Sequence, residues 1–142
     1  MSSTPDTVCV TQRYAASAER VFDAFLDPAK AGKFLFATET GQMVRAEIDA
    51  RVGGAFNFTD RRDGKDIAHV GVYLEIDRPR RLVFTFAVTE YSAEFTRVTI
   101  EILAEGNGCV LTLTHEGVLP DWADQTMQGW GMILGKLEVL GA

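Results

Sequence analysis

The sequence lacks the residue sets on which most readable chemistry rests. Cys9 and Cys109 are the only two cysteines in 142 residues, and neither has a CxxC neighbour or a nearby histidine. That excludes a zinc cluster of ordinary spacing and a disulfide framework. Each stands in an apolar, strand-like run, so both are expected as buried, reduced thiols; a disulfide would require the first and last strands to be neighbours. Histidine is equally scarce, with His69 and His115 far apart, and no metal-ligand set, serine-histidine-acid order or nucleophile elbow surrounds them. No metal and no cofactor is therefore expected. Positive charge is in deficit, 14 Lys plus Arg against 20 Asp plus Glu for a net −6, which disfavours nucleic acid and anionic membrane as partners. No apolar run approaches a membrane span, and Met1 to Asp6 has neither a basic n-region nor an apolar core. The expectation is a cytoplasmic protein with one domain over 1–142, residues 1–6 forming a flexible tail.

One long helix is present, over Asp121 to Leu140. Ala123, Thr126, Met127, Trp130, Ile133, Leu134, Leu137 and Leu140 recur at spacings of three and four, giving an apolar arc centred on Trp130. Asp121, directly after Pro120, is placed to cap it. Gly129, Gly131 and Gly135 interrupt this helix, each costing about 1 kcal/mol against alanine. They permit either close backbone packing, the simpler reading, or an open space beside Trp130.

Before this helix the period is mostly two. Thr7 to Tyr14 predicts a first strand; Ser17 caps a short helix ending near Asp27-Pro28, and Ala29 to Phe34 suggests another helical turn. Phe34, Leu35 and Phe36 then form an apolar cluster. Val44, Ala46 and Ile48 predict a strand, followed by Phe56 and Phe58 after the turn at Gly53-Gly54. Beyond the Asp63-Gly64 hairpin, Ala68, Val70, Val72, Leu74 and Ile76 are assigned to one face and His69, Gly71, Tyr73 and Glu75 to the other, which makes His69 solvent-exposed. Leu82, Phe84, Phe86 and Val88 form the next apolar set, then Val98, Ile100 and Ile102, then Leu111, Leu113 and His115. The fold class is α+β: a strongly curved antiparallel sheet wrapped around a long C-terminal helix, with one or two short helices after the first strand.

Ala16 to Phe25, Gly53 to Phe56, Gly71 to Phe86, Gly108 to His115, and Gly129-Trp130 with Leu134 and Leu137 resemble the START-like, or SRPBCC, superfamily, in the branch of heat-shock-protein-90 ATPase activator homologues. The resemblance spans almost the whole chain, although the family often carries tryptophan in the place of Phe34. It implies a helix-grip fold whose sheet and long helix enclose a hydrophobic cavity, and it implies no reaction.

On that basis Phe36, Phe56, Phe58, Phe84, Phe86, His115, Met127, Trp130, Gly131 and Leu134 are the candidate lining of a ligand cavity. His115 ends an inward-facing set and could orient a polar ligand group, or the Trp130 indole N–H could; no second inward titratable group is evident to make His115 catalytic. Arg61, Arg62, Arg78, Arg80 and Arg81 stand at hairpin turns and are read as solubilising charge, with a partner-binding patch as the lesser reading. The expected function is binding of a small, largely hydrophobic ligand. The alternatives are a protein-interaction domain modulating a chaperone ATPase, and a cyclase- or hydrolase-type enzyme using His115. Association into a homodimer is left open.

Overall fold

Period-two runs joined by tight turns build one antiparallel sheet, and the segments of helical period pack against it. The computed structural model describes residues 6–35, 41–88, 95–118 and 120–139. In chain order these form β1 (Asp6–Tyr14), α1 (Ala18–Leu26), α2 (Pro28–Phe34), β2 (Gln42–Ile48), β3 (Ala55–Arg62), β4 (Lys65–Asp77), β5 (Arg81–Val88), β6 (Thr96–Glu105), β7 (Gly108–Val118) and α3 (Ala123–Val139). A single 3-10 turn, Pro120–Trp122, leads into α3. The seven strands lie in the order β1-β7-β6-β5-β4-β3-β2, a curved open sheet with the α+β, helix-grip-like architecture expected.

The local reasons are short-range. Ser17 accepts a hydrogen bond from the Arg20 amide and caps α1, and Asp27 does the same for Ala29 at the start of α2. Asp63 and Gly64 both take positive φ, 51° and 76°, the geometry of a two-residue type I′ hairpin. That turn pairs Arg62 with Lys65 and fixes the whole β3–β4 register, including Phe58 opposite His69 and Phe56 opposite Gly71.

The core lies between sheet and helices. Val21, Phe22 and Phe25 of α1 and Phe34 of α2 meet Phe56, Phe58, Phe84, Val98, Ile100, Leu111 and Leu113 of the sheet. Trp130, Leu134 and Leu137 close it from α3. The Tyr14 hydroxyl, buried beneath α3, donates to the Leu134 carbonyl at 2.8 Å and ties β1 to the helix.

Several expectations are corrected. The inward face of β4 carries Ile67, His69, Gly71 and Tyr73, whereas Leu74 is exposed. Directly paired residues of an antiparallel ladder share a face, so inward Phe56 and Phe58 force Gly71 and His69 inward. Gly71 is required there, because a Cβ would strike the Thr85 carbonyl and the Phe56 ring. The register then shifts between Tyr73 and Glu75, which returns Ile76 to the core side. Cys109 is buried but Cys9 is exposed; β1 and β7 are neighbours, yet Cys9 stands opposite Thr114 and Cys109 opposite Tyr14, so both thiols are free. The arginines of the β4–β5 turn form no bare cationic patch. Arg78 makes a two-pronged bond to Asp23 of α1, Arg80 meets Asp77, and Arg81 bridges Glu75 and Glu101.

Candidate ligand-binding site

Phe86 of β5 is the hub of an aromatic group at the start of α3. Its ring centroid lies 5.6 Å from that of His115, 6.0 Å from Trp130 and 6.1 Å from His69, the last nearly parallel at 19°. Sheet order explains the assembly: β7 supplies His115, β5 Phe86, β4 His69, and α3 lays Trp130 across them.

The polar atoms of this group are organised in one direction. An indole N–H can only donate, and Trp130 Nε1 lies 3.0 Å from His115 Nδ1, so Nδ1 carries the lone pair. The proton of the neutral ring therefore sits on Nε2, which donates to Thr96 Oγ1 at 2.6 Å, and the Thr96 hydroxyl donates to the Phe86 carbonyl at 3.0 Å. Burial drives the His115 pKa down to about 4 and keeps the ring neutral near pH 7. With both nitrogens engaged, His115 is a strut: its one lone pair receives the tryptophan proton, and the two groups that could have oriented a ligand are bonded to each other.

His69 is 5% exposed, with Nδ1 lying 3.1 Å from the Phe58 carbonyl oxygen. An imidazole nitrogen facing a carbonyl must donate, which puts the neutral-ring lone pair on Nε2. Burial lowers its pKa to about 4; the Phe58 and Ile67 carbonyls and Asp60 oppose that shift and Arg62 adds to it. Asp60 and Arg62 continue the inward alternation of Phe56 and Phe58 along β3. Arg62 Nε donates to Asp60 Oδ2 at 2.8 Å; the carboxylate side chain is 1% exposed and that of the arginine 31%. Inward titratable groups are thus present where none was expected.

Between these strands and the first half of α3 runs an open cleft of about 390 Å³. Arg62, His69, Phe86, Val88 and His115 line it from the sheet, and Trp122, Gln125, Thr126, Gly129, Trp130 and Ile133 from the helical side. A side chain added at Gly129, Gly131 or Gly135 would meet nothing within 4 Å, so these glycines leave open space and do not serve close packing.

The candidate residues divide. Phe86, His115 and Trp130 line the cleft. Phe56, Phe58 and Phe84, with Phe25, Leu35, Tyr73 and Leu82, enclose only a void of about 10 Å³, the space of one water. Leu134 is buried in the core, Met127 is 47% exposed, and neither these two nor Gly131 is among the lining residues. Phe36 lies outside the described residues. Sequence reasoning missed His69, Arg62, Gly129 and Ile133 as lining residues; the register of the Asp63-Gly64 hairpin was the signal for His69. Thr96 left no comparable trace.

A second groove, about 420 Å³, lies on the opposite face of the sheet over Ala55, Asn57, Val70 and Val72, beside Phe95. It is slightly larger, but its described lining comes from strands β2 to β4 and Phe95, whereas the cleft has sheet and helix as facing walls. Among the described residues no three His, Cys, Asp or Glu side chains gather as a metal site, and no helix is long and apolar enough to cross a membrane.

The sequence model of the family described as "Activator of Hsp90 ATPase homolog 1-like protein" matches residues 15–142. Among solved structures, protein CV1439 from Chromobacterium violaceum is similar at 28% identity and TM-score 0.83, covering 94% of this chain and 95% of its own. A protein from Rhizobium leguminosarum is similar at 22% identity and TM-score 0.81, covering 97% and 95%. Protein NE0264 from Nitrosomonas europaea shows 21% identity and TM-score 0.80 over 94% and 92%. No curated protein matches the chain.

Proposed function

The chain belongs to the family of Activator of Hsp90 ATPase homolog 1-like proteins, and from that premise we propose that it binds a small, largely apolar ligand in the cleft between α3 and strands β3 to β5, with no reaction implied. The observation carrying this reading is the cleft itself: about 390 Å³ of open space with Phe86, Val88, Trp130 and Ile133 on facing walls. A pocket of a few hundred cubic ångströms with apolar walls and a few polar groups has the dimensions of a small-molecule site. His115 supports the walls and does no proton chemistry, because its lone pair is held by Trp130. A cytoplasmic setting belongs to the same reading.

The test is a titration with N-phenyl-naphthylamine, an uncharged probe that brightens in apolar surroundings. Saturable brightening is expected with the wild-type chain, and its loss with Gly129→Leu, whose side chain enters open space on the helical wall. Undiminished saturation by a folded Gly129→Leu chain would send the ligand elsewhere.

A second reading is favoured by the family's description: contact with a chaperone ATPase, through Trp122, Met127 and Met132, which are exposed in and just before α3. Stimulated ATP turnover on mixing, abolished by Met127→Lys, would support it; unchanged turnover would remove it.

A further inference from the structure

Two rings that line the cleft from different elements, Phe86 of β5 and Trp130 of α3, meet with their centroids 6.0 Å apart. Their contact is the corner where the sheet wall joins the helical wall. A directed chain of hydrogen bonds ties the two sides of that corner together, and its middle member is Thr96, the first residue of β6. Thr96 stands directly opposite Phe86 in the β5–β6 ladder, so the two share a face of the sheet. Its hydroxyl donates to the Phe86 carbonyl at 3.0 Å, and its oxygen accepts the His115 Nε2–H at 2.6 Å. His115 Nδ1 in turn accepts the Trp130 indole N–H at 3.0 Å. Thr96 is not among the lining residues, yet it holds one wall through a carbonyl and the other through an imidazole.

Direction is what makes the hydroxyl necessary. A carbonyl oxygen can only accept, so the Thr96 proton points to Phe86 and the Thr96 oxygen accepts from His115. That acceptor holds the imidazole with its Nε2–H toward β6 and its Nδ1 lone pair toward α3. His115 is 4% exposed, and a buried N–H left without an acceptor is a costly arrangement that the ring relieves by moving. A displaced ring carries the acceptor of the indole away with it.

We propose that Thr96 is the positioning residue of the cleft: it sets where the Phe86–Trp130 corner stands, and thereby how tightly an apolar ligand seats against it. This deepens the binding function proposed above and rests on it for the ligand; the hydrogen-bond chain stands on the geometry alone.

Thr96→Val keeps the shape of the side chain and removes the hydroxyl, whereas Thr96→Ser keeps the hydroxyl. Two measurements separate position from stability: the NMR signal of the Trp130 indole N–H, and calorimetric titration with naphthamide, a neutral probe with an aromatic body. In the valine variant the indole proton is expected to move upfield as its acceptor leaves. Naphthamide affinity is expected to fall about two- to tenfold, the range that one net hydrogen bond spans, and serine to restore both signal and affinity. An indole signal that is the same in the valine and wild-type chains would overturn the inference, whether or not the probe binds. A moved indole with undiminished affinity would overturn it as well, by detaching the chain of bonds from the cleft. A wild-type chain that does not bind naphthamide would overturn the binding reading and the ligand half of this inference, while the indole signal still judges the other half. Should the valine variant fail to fold, the wild-type chain decides. Its His115 Nε2–H is expected to exchange with water more slowly once naphthamide saturates the cleft, and exchange unchanged by the ligand would overturn the inference.

Discussion

The Trp130 indole can only donate, and that fixes the state of His115: unprotonated at Nδ1 and carrying its proton on Nε2 toward Thr96. Imidazole nitrogen chemical shifts should show this single tautomer at neutral pH, without the averaging of a freely titrating ring; shifts of an averaged or doubly protonated ring would contradict it. His69 is held neutral by burial in the same way. Because both folded-state pKa values, about 4, lie below the ordinary 6.5, the unfolded chain binds more protons in that interval. Stability is then level above about pH 7 and falls as pH drops toward about 5. The lowered Asp23 and Asp66 carboxyls act only below their ordinary value of 3.8, outside this window. Urea midpoints should fall between about pH 7.5 and about pH 5, and the slope should vanish when both histidines are replaced by glutamine; a level wild-type midpoint would contradict the buried-neutral assignment. His115 and Trp130 were legible from alternation and helical spacing. Their bond to each other was not, because it depends on where α3 lies across the sheet.

Strand β4 shows how an element can be recognised and still be turned the wrong way. Its existence followed from alternation, but Ala68, Val70, Val72 and Leu74 are more apolar than His69, Gly71 and Tyr73, and composition points to the wrong face. Counting from the hairpin puts His69 opposite Phe58 and decides the matter, so the information was in the sequence, in a turn and not in hydropathy. Helix α3 was readable from its period, and it begins two residues later than expected, after the 3-10 turn. Its glycines give a contrast at this scale. Gly135→Ala adds a methyl group that meets nothing and should stabilise the chain by about 1 kcal/mol, read as a higher urea midpoint. Gly129→Ala should stabilise equally but weaken probe binding, because Gly129 lines the cleft and Gly135 does not. Equal effects on binding would contradict that placement.

For the whole molecule, the curved sheet, the short helices and the covering helix were all legible, because period and turn chemistry specify layers. The location of free volume was legible only as one of two alternatives, since the glycines beside Trp130 allowed close packing as well as open space. Large aromatics fill the centre between α1 and the sheet so well that only about 10 Å³ remains, while the open space lies nearer the start of α3, where glycine leaves its wall thin. Packing density is a property of the assembled interior, and no local pattern distinguishes Phe86, on the cleft, from Phe84, in the core. The measurement that tests this account most directly is intermolecular proton contacts by NMR for bound naphthamide. The account predicts contacts to Phe86, Trp130 and Ile133. Saturable binding with contacts instead to Phe56 and Phe84, or to Val70 and Val72 on the opposite face, would contradict it.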